Sequence, residues 1–223
     1  LYGQSSLNLS YQLKNGIIFK GTLIEIIKIF FSLGEKNKAL DFVKKNKADI
    51  FISKNPPNKP VDIYIDLLFE YLNSSEIEFK RSLLNDISER LLPDYLFLFL
   101  EKFVEEENYR MCKEMVELIF SQNGIFNYFL NKIKIYFFLA KMGDKRSEHF
   151  AKDVFKMLKK SPYGVYGLRA IYYLWLKEKK VSEKQKLRNL FISRLYFLKV
   201  NSPEWAFKKI LDFEEIKILF KGF

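Results

Sequence analysis

Apolar positions recur every three to four residues through nearly all of 21–220, in stretches separated by short polar turns. That period predicts helices rather than strands. In 23–33 the stripe is Leu23, Ile26, Ile27, Phe30, Phe31 and Leu33, wide enough for a buried helix, and Gly34 ends it. A partner helix over 36–46 buries Ala39, Leu40, Phe42 and Val43, with room to run on to Ile52 before Pro56, Pro57 and Pro60 stop it. The same reading gives a pair over 61–72 and 76–92, with Ser74 or Ser75 as N-cap. A third pair covers 93–104, opened by Pro93, and 109–121. Two more cover 126–142 with 146–159, and 163–177 with 183–200, the last helix opened by Ser182 as N-cap. Ser202-Pro203-Glu204 begins a final unpaired helix that reaches about Phe220.

The turns inside the five pairs are Gly34-Glu35, Asn73-Ser74, Glu107-Asn108, Gly143-Asp144 and Lys179-Lys180. Their first residues lie 39, 34, 36 and 36 positions apart. Between the pairs fall other breakers: the three prolines after Ile52, then Pro93, Gly124, Pro162 and Pro203. A period in this range marks stacked helical hairpins, because one hairpin cannot bury its apolar face alone. The expected fold is therefore all-α: a solenoid of about five antiparallel helical hairpins over 21–223, closed by a C-terminal capping helix. Residues 1–20 fall outside the period. They are polar and small at first, then carry Asn15-Gly16 between short apolar runs, and read as an N-terminal linker or small hairpin.

Composition fits a packed chain, with 48% hydrophobic and 17% aromatic residues. The net charge of +11 points at first to nucleic acid or an anionic surface. The excess, however, is lysine spread over every segment, in a chain also rich in Phe, Ile, Asn and Tyr, all with A/T-rich codons. No run of five or six basic residues occurs. Lys44-Lys45, Lys159-Lys160 and Lys179-Lys180 sit where helices end and offset the helix dipole. The charge reads as a solvated surface, and nucleic acid is not the expected partner.

Catalytic chemistry finds few candidates. The one histidine, His149, lies on a helix with no nucleophile implied by spacing, and the one cysteine, Cys112, excludes an intramolecular disulfide and a thiolate-rich metal site. Gly164 and Gly167 open a helix without a preceding strand, so they do not form a nucleotide loop. The run Glu105-Glu106-Glu107, at a turn, and Glu214-Glu215, on the last helix, both read as solvated faces. No enzyme activity, cofactor or metal is expected. Tyr163, Tyr166, Tyr172, Tyr173 and Trp175 crowd one helix with Arg169 among them, a composition favoured both in cores and at protein interfaces. No apolar run approaches the ~20 residues that span a bilayer. The first residue is Leu1 rather than Met, which leaves room for a signal peptide or lipid anchor upstream.

Three of the turns resemble the tetratricopeptide repeat, whose hairpin turn reads roughly Gly-Asp-Tyr-x-x-Ala. Gly34-Glu35-Lys36-Asn37-Lys38-Ala39 matches at both ends, and Glu107-Asn108-Tyr109-Arg110-Met111-Cys112 matches with Cys as the small residue. Leu139-Ala140-Lys141-Met142-Gly143-Asp144 matches the approach to the turn, with Glu148 at the alanine position. The junctions Leu158-Lys159-Lys160-Ser161-Pro162-Tyr163 and Asn201-Ser202-Pro203-Glu204-Trp205-Ala206 are similar to those of envelope-associated members of that family. The resemblance implies a right-handed α-solenoid whose first helices line a concave face. It places Lys28, Glu101, Glu105, Lys141, Tyr166, Arg169, Tyr173 and Lys177 there, facing a peptide or helix of another protein. The implied function is a non-catalytic interaction scaffold or adaptor in a bacterial periplasm or cell envelope, with the cytoplasm as the other compartment. Two rivals stay open: the helical superdomain of a larger peptidoglycan-acting enzyme such as a lytic transglycosylase, and a basic helical repeat that binds nucleic acid.

Overall fold

The computed structural model describes residues 16–52, 59–73, 79–87, 91–122, 124–161 and 164–221. Regular structure among them is entirely helical, as the period predicts. The chain forms α1 Gly16–Ser32, α2 Lys36–Ile52, α3 Lys59–Asn73, a 3₁₀ turn Arg81–Asn85, α4 Leu92–Glu105, α5 Tyr109–Ser121 and a second 3₁₀ turn Ile125–Asn127. It continues with α6 Phe129–Lys141, α7 Ser147–Lys160, α8 Gly164–Lys177, α9 Val181–Asn201, α10 Glu204–Asp212 and α11 Glu214–Lys221. Two compact units divide the chain inside α4, Leu1–Tyr95 and Leu96–Phe223.

In the first unit α2 packs against both α1 and α3. Leu23, Ile24 and Ile27 of α1, and Leu33 in the turn after it, share the core with Ala39 and Val43 of α2 and with Tyr64, Ile65, Leu67 and Leu68 of α3. Phe30 and Phe42 close that seam, their ring centroids 6.0 Å apart. Lys28 stays half-buried between Glu25 and Asp94, each 2.9 Å away. Burial alone would lower its pKa, but the two carboxylates outweigh that and hold it above the usual lysine value. In the second unit α6 packs on α7 and α8, and α8 on α7, α9 and α11.

Three of the hairpin turns are the same object. At each, the chain passes through a left-handed residue: Gly34 at φ 70°, Glu107 at φ 54° and Gly143 at φ 70°. At each, the next N–H reaches back five residues: Glu35 to the Phe30 carbonyl (2.9 Å), Asn108 to Phe103 (2.9 Å) and Asp144 to Leu139 (2.8 Å). This closure satisfies carbonyls that a helix end leaves open, and it reverses the chain in two residues. Glycine takes the left-handed conformation freely, whereas a residue with a Cβ bears roughly 1–2 kcal/mol of strain. Glu107→Gly is therefore expected to raise stability by about 0.5–1 kcal/mol after the added freedom of the unfolded chain. Gly143→Ala should act in the opposite sense, and urea denaturation of both variants checks the pair.

Four expectations change. Helix α1 begins at Gly16, so the end of the N-terminal segment is helical; 1–15 lie outside the described residues, as do Ser74 and Ser75. The helix expected over 76–92 is only a 3₁₀ turn among the described residues. Lys80 is extended there (φ −101°, ψ 100°), its carbonyl accepts from Tyr95 Oη, and the Phe79 ring stacks on Tyr95. Ser82, Asn85 and Asp86 nearby are residues whose side chains compete with the helical backbone. Helix α9 starts at Val181 with Lys180, not Ser182, at its N-cap, because Glu178 Oε1 accepts the N–H groups of Lys179 and Lys180, both at 2.9 Å. The final helix is two helices. Phe213 is extended (ψ 133°), and its carbonyl accepts from Ile216 and Lys217 to start α11 afresh. Glu214 and Glu215 then sit in a new first turn, where the helix dipole favours acids.

Candidate partner-binding face

Helix α6 is apolar on nearly every side, with Ile133 and Ile135–Ala140 all buried, and α8 is nearly as deep from Val165 to Ile171. Helices of this kind lie in the interior of a helical layer. Each nevertheless carries a cation that the interior must accommodate. Lys134 keeps only 8% exposure, and its ammonium lies 5.3 Å from the Phe97 ring centre and 5.4 Å from that of Tyr166. Such placement over ring faces offsets part of the lost hydration.

Arg169 is held more elaborately. Its guanidinium carbon lies 4.4 Å from the Phe137 ring centre and 4.3 Å from that of Phe213, so two rings flank it. In the same place Nε and Nη2 donate to the two carboxylate oxygens of Glu215 at 3.2 and 3.1 Å. Both residues of the pair are nearly sealed, Arg169 at 7% exposure and Glu215 at 6%. A planar fork meeting a carboxylate through two bonds is a geometry lysine cannot reproduce. Phe137 also meets the rings of Phe138, Tyr166 and Tyr173 at 5.0, 5.8 and 5.7 Å, which makes it the hub of this face.

One layer further, Tyr166 Oη donates to Glu101 Oε2 at 2.9 Å. Burial raises the Tyr166 pKa far above the phenolic range, and the Glu101 charge adds to it. Burial also raises the Glu101 pKa, partly countered by the bond from Tyr166. Tyr173 is raised by burial and then by the Glu215 charge. A carboxyl whose folded pKa exceeds its unfolded value near 4.5 holds its proton more tightly when folded. The resulting stability is fully present below that unfolded value and is lost as pH rises through the folded pKa. Glu101→Gln keeps an acceptor for Tyr166 and removes the half-buried charge. It is expected to raise the denaturation midpoint at about pH 7 and to leave it nearly unchanged at about pH 3. Parallel urea titrations at the two pH values check this.

Of the residues expected on the inner face, Glu101, Tyr166, Arg169 and Tyr173 are drawn into this one network, and Lys141 stands at its edge, 6.0 Å over Phe137. Lys141, Tyr172 and Tyr173 line one side of a cleft of about 330 Å³, and Asp212, Glu214 and Ile218 line the other. Glu105 is exposed at the end of α4. Lys177 belongs elsewhere: it donates to Ser147 Oγ at 2.8 Å and borders a second cleft of about 300 Å³ with Tyr136, Phe155 and Leu187. Lys28 lies in the other unit, held by its own two carboxylates. Tyr163 lies outside the described residues.

Phe137, Lys134, Phe213 and Glu215 are the members that the period alone did not single out. The pair Glu214-Glu215 is not one solvated face: Glu214 is exposed as expected, but Glu215 is buried. The signal was its spacing with Ile216 and Leu219, which puts it at the edge of the only apolar stripe in α11. His149 is exposed, and Cys112 is buried with its thiol pKa raised by that burial. Among the described residues no group of three or more His, Cys, Asp or Glu is placed to hold a metal ion, and no helix is long and apolar enough to cross a membrane. No family model, curated protein or solved structure matches this chain.

Proposed function

We propose that this chain is a non-catalytic protein–protein interaction scaffold, built as a right-handed solenoid of tetratricopeptide-like hairpins and working in a bacterial cell envelope. The observation that carries the reading is the turn that recurs at Gly34, Glu107 and Gly143 with one hydrogen-bond closure, at the three places whose sequence resembles the family's turn. The packing of α6 against α8, the first helices of successive hairpins, supports it as well. The partner lies on the face bearing Lys141, Tyr166, Arg169 and Tyr173. Its rings and charges are pre-ordered by packing, which lowers the entropy lost on association. The envelope assignment rests on the Ser-Pro-aromatic junctions at 161–163 and 202–205. Affinity capture of the full chain from its native cells, at low and moderate salt, tests this. A stoichiometric protein that stays bound at moderate salt supports it, while nucleic acid released by moderate salt with no protein retained overturns it.

A further inference from the structure

The face assigned to a partner is already covered at one point, and the cover comes from the chain itself. Helix α11 packs on α8, and the residues that reach Arg169 are Phe213 and Glu215. The cover is slight. It is a helix of 8 residues that buries Glu215, Ile216 and Leu219 and leaves Phe220 65% exposed. Extended Phe213 separates it from α10, so it does not continue a helix that would hold it in place. The seam is also unfilled, since the cleft of about 330 Å³ runs between Lys141 and Tyr172 on one side and Glu214 and Ile218 on the other. A buried ion pair adds little net stability compared with apolar packing of the same volume, but it discriminates sharply against partners that lack the matching charge.

We infer that the slot around Arg169 is a recognition site for a helical segment of a partner protein bearing a carboxylate next to an aromatic ring, and that α11 is a built-in occupant which the partner displaces. The inference rests on the scaffold reading and gives its partner a chemistry. The partner's ring takes the place of Phe213 against the guanidinium, which stays stacked on Phe137, the carboxylate accepts from Nε and Nη2 of Arg169 in place of Glu215, and Lys141 at the rim favours further acidic residues. The arrangement holds the site closed until a segment with both features competes.

A fluorescent peptide of residues 212–221, the chain's own occupant, is the probe. Its binding is measured by anisotropy to the full chain and to the full-length Phe213→Ala/Glu215→Ala variant, which vacates the slot. The expected result is binding at least tenfold tighter to the variant, reduced again tenfold or more by adding Arg169→Lys or by replacing the peptide's glutamate equivalent to Glu215 with glutamine. Equal, weak binding to both proteins, with the variant's helical circular dichroism intact, overturns the proposal. Hydrogen exchange in the unmodified chain gives a second reading that needs no variant. Amides of 214–221 should exchange at least tenfold faster than those of 165–171, and equal rates in the two segments overturn displacement. If these tests fail while a protein partner still maps to Lys141 and Tyr172, the scaffold reading survives without this inference. If they succeed and no partner is found, the scaffold reading fails instead.

Discussion

Phe137→Ala is expected to lower the unfolding free energy by about 3–5 kcal/mol, the range for emptying a buried aromatic site that cannot collapse. Phe137 is 1% exposed and meets three rings and the Arg169 guanidinium. Removing it forfeits the transfer energy of the ring and also one of the two surfaces that flank a buried cation. The neighbours are themselves rings in fixed contact, so little relaxation is available to refill the space. Phe137→Leu keeps much of the volume and should cost less than half as much. Guanidinium denaturation with an unchanged m-value would place the loss in the folded state.

The second large effect concerns the small residues behind the repeated turn. Ala39 and Cys112, each five residues after the left-handed residue, are buried at 0% and 1% exposure. The family pattern puts Glu148 at the matching place in the third turn, yet Glu148 is exposed and Ser147 is fully buried. The reason lies in the turn. Helix α7 begins at Ser147, four residues past Gly143, whereas α2 and α5 begin two residues past Gly34 and Glu107. The extra residues are held by Arg146, which donates to Asp144 through Nε and Nη2 at 3.1 and 2.7 Å and to Glu117 at 2.6 Å. Ala39→Leu, Cys112→Leu and Ser147→Leu are each expected to cost about 1–3 kcal/mol by overfilling the hairpin. Ser147→Leu also removes the acceptor of the Lys177 ammonium, but Lys177 is exposed and water replaces that bond, so the overfilling dominates in all three. Glu148→Leu should change stability by no more than about 0.5 kcal/mol. Thermal denaturation of the four variants decides whether the small position has shifted.

How much was legible follows from which residues decide each feature locally. The hairpin around Glu107 was readable to within one residue at each end, since Asn108 caps α5 by accepting from Met111 N at 3.3 Å and the polar turn has no competing apolar register. The turns at Gly34 and Gly143 were equally local, because only glycine takes that backbone without strain. The segment 79–87 was not readable. Its apolar spacing suits a helix, but Phe79 and the Lys80 carbonyl are claimed by Tyr95, a contact between residues fifteen or more apart in the chain. The break at Phe213 has the same origin: an acidic pair inside a lysine-rich helix looks solvated until Arg169, 46 residues away, takes one of its members. Tertiary pairing overrode local propensity at both places. The candidate face was half legible, because cations and tyrosines on α8 announce themselves, whereas an apolar hub such as Phe137 looks like any other core residue.

Site-specific photo-cross-linking in the native cells would show whether a protein partner lies on the Arg169 face. A photoreactive residue is placed in turn at Lys141 and Tyr172, beside the Arg169 face, and at His149 and Lys156, exposed positions on α7. A discrete protein adduct is expected from 141 and 172 and none from 149 and 156. Adducts of equal yield from all four positions, or nucleic acid in place of protein at 141 and 172, would contradict it.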